Sequence, residues 1–103
     1  MLASNEIKAQ WLKAFFDDEA HISKTRKRIV LNVVNYYGLK QIQSLLQELN
    51  IESKLNGPYY HKGYYSYHLT IYKKYILTYS KLIGFNHPKK KRHLLQVMKN
   101  MGT

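Results

Sequence analysis

Apolar residues recur along this chain at two different intervals, and the switches between them mark out its elements. Residues 6–16 carry Ile7, Trp11, Leu12, Ala14, Phe15 and Phe16, a helical spacing that covers much more than one face. Ser4 or Asn5 is suited to cap the start of this helix, which the pattern carries to about Phe16. A helix so apolar is expected to be buried on several sides or to pack against another chain. The interval then drops to two. HISKTRKRIVLNVVN reads as a hairpin: a strand near Ala20–Lys24, a turn at Thr25–Lys27, and a strand near Arg28–Asn35. Ile29, Leu31 and Val33 fall on one face of the second strand, and Arg28, Val30 and Asn32 on the other.

The helical interval returns in YYGLKQIQSLLQELN, where Leu39, Ile42, Leu45, Leu46 and Leu49 form one stripe and Asn50 can end the helix. A strand is predicted near Ser53–Asn56, followed by GPYYHKG as turn material. SYHLTI alternates again, with Tyr67, Leu69 and Ile71 opposite Ser66, His68 and Thr70. A third helix is expected from about Lys74 to Ile83 with Gly84 as its cap, and Pro88 opens a last one in KKKRHLLQVMKN. The order is αββαββα with a trailing helix, an α+β class with four short strands and helices over one sheet face. The other face carries Arg28, Asn32, Ser66, His68 and Thr70, which suits water or a polar ligand. Helix-hairpin-helix occurs twice, without visible sequence similarity between the halves.

At 103 residues the chain is read as one domain spanning 1–103. It has no cysteine, which excludes disulfides and thiolate metal sites. No apolar run approaches the ~18 residues of a membrane span, and the N-terminus lacks a signal-peptide core. These features predict an intracellular protein with no membrane partner, in cytoplasm, nucleoid or an organelle. The net charge of +11 is unevenly distributed. Residues 1–52 hold seven Lys/Arg and all six acids, whereas residues 53–103 hold ten Lys/Arg and no acid. That imbalance points to a polyanion, most simply nucleic acid. The five histidines show no metal-ligand spacing, which argues against zinc.

Asp17, Asp18 and Glu19 are half the acids of this basic chain, and they sit where helix gives way to strand. Acids at a helix end are often simply solvated, but LKAFFDDEA, residues 12–20, resembles the LAGLIDADG motif of homing endonucleases. Leu12, Phe15, Phe16, Asp17 and Glu19 stand in the corresponding order. RIVLNVVN, GLKQIQSLLQELNIESKL, YHLTI and KLIGFNHPKKKRHLL are similar to the archaeal and intein-associated branch, so the resemblance spans roughly residues 5–95.

The resemblance implies that two motif helices pack side by side, from two chains or two fused halves. Each end then supplies an acid that holds a divalent metal at the scissile phosphates, and the sheets form a basic saddle in the major groove. On that basis Glu19 matches the metal-binding acid, with the Ala20 carbonyl as a neighbouring backbone ligand and Mg²⁺ (or Mn²⁺ or Ca²⁺ in its place) as cofactor. Hard oxygen donors suit Mg²⁺, which can activate water and neutralise a phosphodiester transition state. Asp17 matches a mainly structural acid. Asn35 aligns with a polar residue near the active-site water, and Lys90, among Lys89, Lys90 and Lys91, with an active-site lysine. Ile7, Trp11, Ala14 and Asp18 share one stripe, the expected interface between the helices. Opposite double-stranded DNA the resemblance places Ser23, Thr25, Arg28, Asn32, Lys54, Asn56, His68 and Thr70.

The expected activity is metal-dependent cleavage of a long pseudo-palindromic duplex by a homodimer or by this chain with a second LAGLIDADG half. The alternative is a non-catalytic binder on the same fold, an intron maturase or a DNA-binding regulator; an unrelated ribosome-associated protein is a third reading. The chain departs from the motif at Lys13, Ala14, Ala20 and Asp18. Asp18 occupies a small-residue position near the expected helix contact, where it would meet its own twin in a symmetric pair. Like charges that close require a shared cation or lysine, shifted packing, or a different partner half.

Overall fold

The computed structural model describes residues 4–101. It contains helix α1 (Asn5–Glu19), strands β1 (Ala20–Ser23) and β2 (Arg28–Val33), and helix α2 (Tyr36–Glu48). Strands β3 (Lys54–His61) and β4 (Tyr64–Ile71) follow, then a 3₁₀ turn (Lys73–Tyr75) running into α3 (Ile76–Leu82), and α4 (Pro88–Met101). The αββαββα order with a trailing helix is therefore the observed one. All neighbouring strands are antiparallel, in the spatial order β1-β2-β4-β3.

The two-residue alternation sets the sheet's faces. Ile22 pairs with Ile29, Leu31 with both Ala20 and Leu69, and Ile29 with Ile71, so one apolar face is continuous across β1, β2 and β4. Ile29, Leu31, Leu69 and Ile71 are fully buried there. Leu12 and Phe16 of α1, and Leu39, Ile42 and Leu46 of α2, close over them. Phe16 meets Tyr79 of α3 at 5.3 Å between ring centres, and Tyr79 meets Phe85 at 5.4 Å. A buried Phe of this kind contributes about 1.5–3 kcal/mol, so this aromatic file ties the first helix to the end of the third.

Local chemistry explains the helix ends. Ser4 accepts the Ile7 N–H at 3.2 Å and caps α1. At the other end α1 runs past the expected Phe16 to Glu19 and passes into β1 with no intervening loop. Asn35, expected to end the second strand, instead caps α2 by accepting the Gly38 N–H at 3.0 Å, and β2 stops at Val33. Asn50 adopts a left-handed φ of 64° as α2 ends. Gly84, at φ 70°, donates to Tyr79 and closes α3.

One expectation is overturned. GPYYHKG is not turn material: the strand continues through Tyr59, Tyr60 and His61, and only Lys62 and Gly63 turn. Both have positive φ, 37° and 95°, which matches a tight two-residue hairpin. The Gly-Pro pair is absorbed as an irregularity in the ladder between Asn56 and Tyr59. Gly57 is needed there, because its φ of 124° disfavours a side chain and a Cβ would lie 3.0 Å from the Ser66 carbonyl oxygen. Beyond the irregularity, tyrosines at 59, 60, 64 and 65 supply strand-forming residues that outweigh the turn signal.

Candidate nucleic-acid interface and acidic helix end

The polar sheet face is built by register. Asn32 stands opposite His68, and His68 opposite Asn56, so three of the expected contact residues form one row across β2, β4 and β3. The next row is His21, Val30, Thr70 and Lys54, and beyond it Ser23 faces Arg28. Asn32, Lys54 and Thr25 are exposed; Ser23, Arg28, Asn56 and His68 are half-buried. Arg28 lies over the Tyr72 ring at 4.7 Å, which holds the guanidinium in place. Ser23 accepts the Arg26 N–H at 3.2 Å and shapes the β1–β2 turn that displays Thr25.

Thr70 corrects the expectation. It is 6% exposed, and Ser66 on the same face is 3% exposed. Both are short side chains on the inner strand β4: Thr70 lies between Val30 of β2 and the longer Lys54 of β3, and Ser66 lies beside Tyr59 of β3, so the sheet's own relief covers them. A polar alternation locates a residue on a face; only the neighbours decide whether it reaches the surface. Three residues of this face were not expected from the sequence: Tyr59, whose ring lies 4.6 Å from His68, and the imidazoles His21 and His61. Strand alternation was a signal for His21, whereas Tyr59 and His61 lie in the run whose turn residues mask the strand. Partial burial first, and then His21 and His61, lower the pKa of His68 below its ordinary 6.5.

The acidic helix end divides its three carboxylates between different tasks. Asp17 Oδ1 accepts two backbone N–H groups, from Asn86 at 2.8 Å and His87 at 3.1 Å. The same His87 opens α4, its carbonyl accepting from Lys91 at 2.8 Å. Asp17 thus pins the segment that leads into α4, a structural role. Lys90 Nζ donates to the Asp17 carbonyl oxygen, one of the acceptors a helix C-terminus leaves without an internal partner. A cation is favoured at that end of the helix dipole. Lys90 is therefore brought to the acidic end of α1 by the fold, which no spacing in the sequence could state.

Asp18 and Glu19 are exposed. The ion pair found among the described residues is Lys8–Glu48, elsewhere on the surface. Glu19 borders an open groove of about 540 Å³ that also takes in Trp11, Phe15, Asn32, Val33, Asn35 and Ile42. Glu19 and Asn35 are thereby gathered at one site, while Lys90 approaches the same helix end from α4. Ala20 is buried and pairs with Leu31. Of the expected interface stripe, Ile7 is 58% exposed, Trp11 51%, and Ala14 and Asp18 are also exposed. The flank that carries these residues is thus left uncovered, while the opposite side of the helix packs on the sheet and on Tyr79. Among the described residues no three His, Asp or Glu converge on a cation position. The donors that line the groove are nonetheless hard oxygens, the Glu19 carboxylate with the amides of Asn32 and Asn35, a donor type that suits Mg²⁺.

An acidic-ended helix, two strand pairs with a polar outer face, and a helix flank left bare define an α+β domain of the LAGLIDADG type. Residues 6–84 match the LAGLIDADG-like domain, and the chain belongs to that family. The match covers α1 to the end of α3 and stops before α4. The family comprises homing endonucleases and maturases; its members bind DNA, often as dimers, most nucleases among them use divalent metal, and some members are non-catalytic. No curated protein matches the chain, and no solved structure does.

Two outcomes follow from the geometry. Asp17→Ala removes the acceptor for two N–H groups and should lower stability by about 1.5–3 kcal/mol, read as a drop in urea midpoint with unchanged slope; an unchanged midpoint would contradict the anchoring role. His68 has a folded pKa below its unfolded value, so its contribution to stability is complete above pH 6.5 and declines as pH falls through the folded value. The urea midpoint should accordingly fall less between neutral and mildly acidic pH in His68→Gln than in the parent, and parallel curves would refute this.

Proposed function

We propose that this chain is one half of a metal-dependent DNA endonuclease, completed when a second motif helix packs on the bare flank of α1. The observation that carries the reading is the exposure of Ile7 and Trp11 on that flank, with Glu19 at its end. Leaving a Trp and an Ile about half in water forgoes roughly half of the 1.5–3 kcal/mol that full burial of a large apolar side chain is worth, about 1 kcal/mol for each. A second helix recovers it and brings a second acid beside Glu19.

In the paired state the metal would make a bound water nucleophilic and offset the charge developing on the phosphodiester. Glu19 is the residue to hold it, with the Ala20 carbonyl beside it. Asn35, fixed in place by its bond to Gly38, would orient the water through its amide. Lys90, anchored on the Asp17 carbonyl, adds a fixed positive charge near the scissile position. The row Asn32, His68 and Asn56 would face base edges, with Arg28 and Lys54 on phosphates. Thr25 and Ser23 would serve the same surface from the β1–β2 turn.

Asp18 bears on the partner. It is exposed on the stripe with Ile7, Trp11 and Ala14, so a symmetric pair sets two carboxylates near each other. A second LAGLIDADG half without that acid avoids the repulsion. A non-catalytic binder, maturase or regulator, would use the sheet face alone and leave Glu19 idle.

With Mg²⁺ and DNA from its own flanking locus, the protein should produce a double-strand break. Glu19→Gln should reduce cleavage by more than the ~10–100-fold that loss of an outer partner costs a metal site, while duplex binding persists. Equal cutting by the parent and Glu19→Gln would remove Glu19 from the metal site; binding with no cutting by either would favour the non-catalytic reading. Trp11→Glu should shift the protein from dimer to monomer in analytical ultracentrifugation, and a parent that is monomeric at every concentration and on DNA would reject self-pairing.

A further inference from the structure

Helix α4 lies beyond the family match, and its chemistry is not used by the acidic helix end except through Lys90. Leu94 and Val97 are buried and Met98 partly so, which fixes the side of α4 that faces the core. Lys89, Arg92, His93, Gln96 and Lys99 recur at three- and four-residue spacing on the side turned away from it.

The β1–β2 turn is fastened against this helix. Lys27 Nζ donates to the Asn100 carbonyl oxygen at 3.3 Å, and a shallow groove of about 290 Å³ runs between Lys24 and Gln96, Val97, Lys99 and Asn100. Lys24, Lys89 and Arg92 crowd closely enough that, after slight desolvation, their charges help lower the pKa of His93. Residues 53–103 contain no acid to offset them. A cluster of like charges held together by the fold opposes folding, and a polyanion that displaces its counterions relieves that repulsion. The strand beside α4, β1, is the edge of the sheet. A polyanion lying across the polar sheet face would reach this cluster if it continued past that edge.

We propose that the basic face of α4, together with Lys24, is a second nucleic-acid surface that grips the phosphate backbone of duplex flanking the segment under the sheet, without reading its sequence. This rests on the proposed placement of a duplex across the sheet, but not on the chain being a nuclease.

The test compares the parent with the exposed triple variant Lys24→Gln, Arg92→Gln, Lys99→Gln, and with the charge-keeping Lys24→Arg, Arg92→Lys, Lys99→Arg. Each is titrated against a duplex limited to the protected site and against one extended by about ten base pairs at each end. On the extended duplex the Gln variant should bind more weakly whatever the flanking sequence. Its slope of log affinity against log salt should be shallower by about 2 to 3, near 0.9 for each phosphate that is no longer neutralised. On the short duplex it should match the parent, the charge-keeping variant should match on both, and thermal melts should coincide. A slope unchanged on the extended duplex overturns the proposal, as does a loss confined to anionic phospholipid vesicles, which would reassign the face to a membrane surface. Normal slopes with no cleavage by the parent would remove the nuclease reading and leave this one standing; no duplex binding by the parent would overturn both.

Discussion

Everything at the candidate site depends on how α1 ends. The helix passes into β1 without a loop, so its rotation and the direction of the strand are set together. Phe16 and Leu12, fully buried against the sheet and Tyr79, fix that rotation from inside. Asp17 fixes it from outside: its side chain takes two N–H groups at the start of α4, and its carbonyl takes Lys90. With the residues on either side held, Asp18 and Glu19 are left to project from the helix end. A one-residue slip would bury a carboxylate or expose Phe16, and each error costs more than the helix end contributes.

The same economy of neighbours shapes the sheet. An antiparallel register places Asn32, His68 and Asn56 directly opposite one another, and so converts three scattered polar residues into a row. It also sinks Thr70 between Val30 and Lys54, and Ser66 beside Tyr59. The outer face is therefore a relief of amide, imidazole and cationic groups with short hydroxyls in its troughs. His68 is partly shielded by Tyr59, and neighbouring imidazoles disfavour its charge, so near neutrality it offers hydrogen bonds more than charge. The cations sit at the margins, in the turns and on α4.

The bare flank of α1 is the other side of that arrangement. A sheet covers a helix on one side only, and α1 has apolar residues on more than one. The groove beside it, with Trp11 and Phe15 stacked 5.8 Å apart and Glu19 at the end, joins an apolar wall to an oxygen donor. Membership of the LAGLIDADG family gives that surface a precedent in paired motif helices. Asp18 is the feature that would discriminate among partners, since charge on an otherwise apolar stripe penalises its own image more than an unlike half.

The element order, the face assignments in β2 and β4 and the stripe of α2 were legible from the sequence, because alternation and helical spacing follow directly from backbone geometry. The excess of exposed apolar surface on α1 was legible too, as more apolar positions than one face can hold. Less accessible was the run from Gly57 to His61, where strong turn residues lie inside a strand: tyrosine pairing across the hairpin and an irregular ladder outweighed local propensity. The burial of Thr70 could not be read, since it depends on residues 16 and 40 positions away in sequence that stand beside it in the sheet. By itself, then, the sequence determined the periods, the charge asymmetry and the acid-ended apolar helix, all properties of neighbours along the chain. Only the tertiary structure decided that Asp17 pins the segment leading into α4, that Lys90 reaches its carbonyl from α4, and that Lys24 joins the cations of the last helix. Those are contacts made across 69 to 73 residues or between separate elements, and only packing brings such groups within reach.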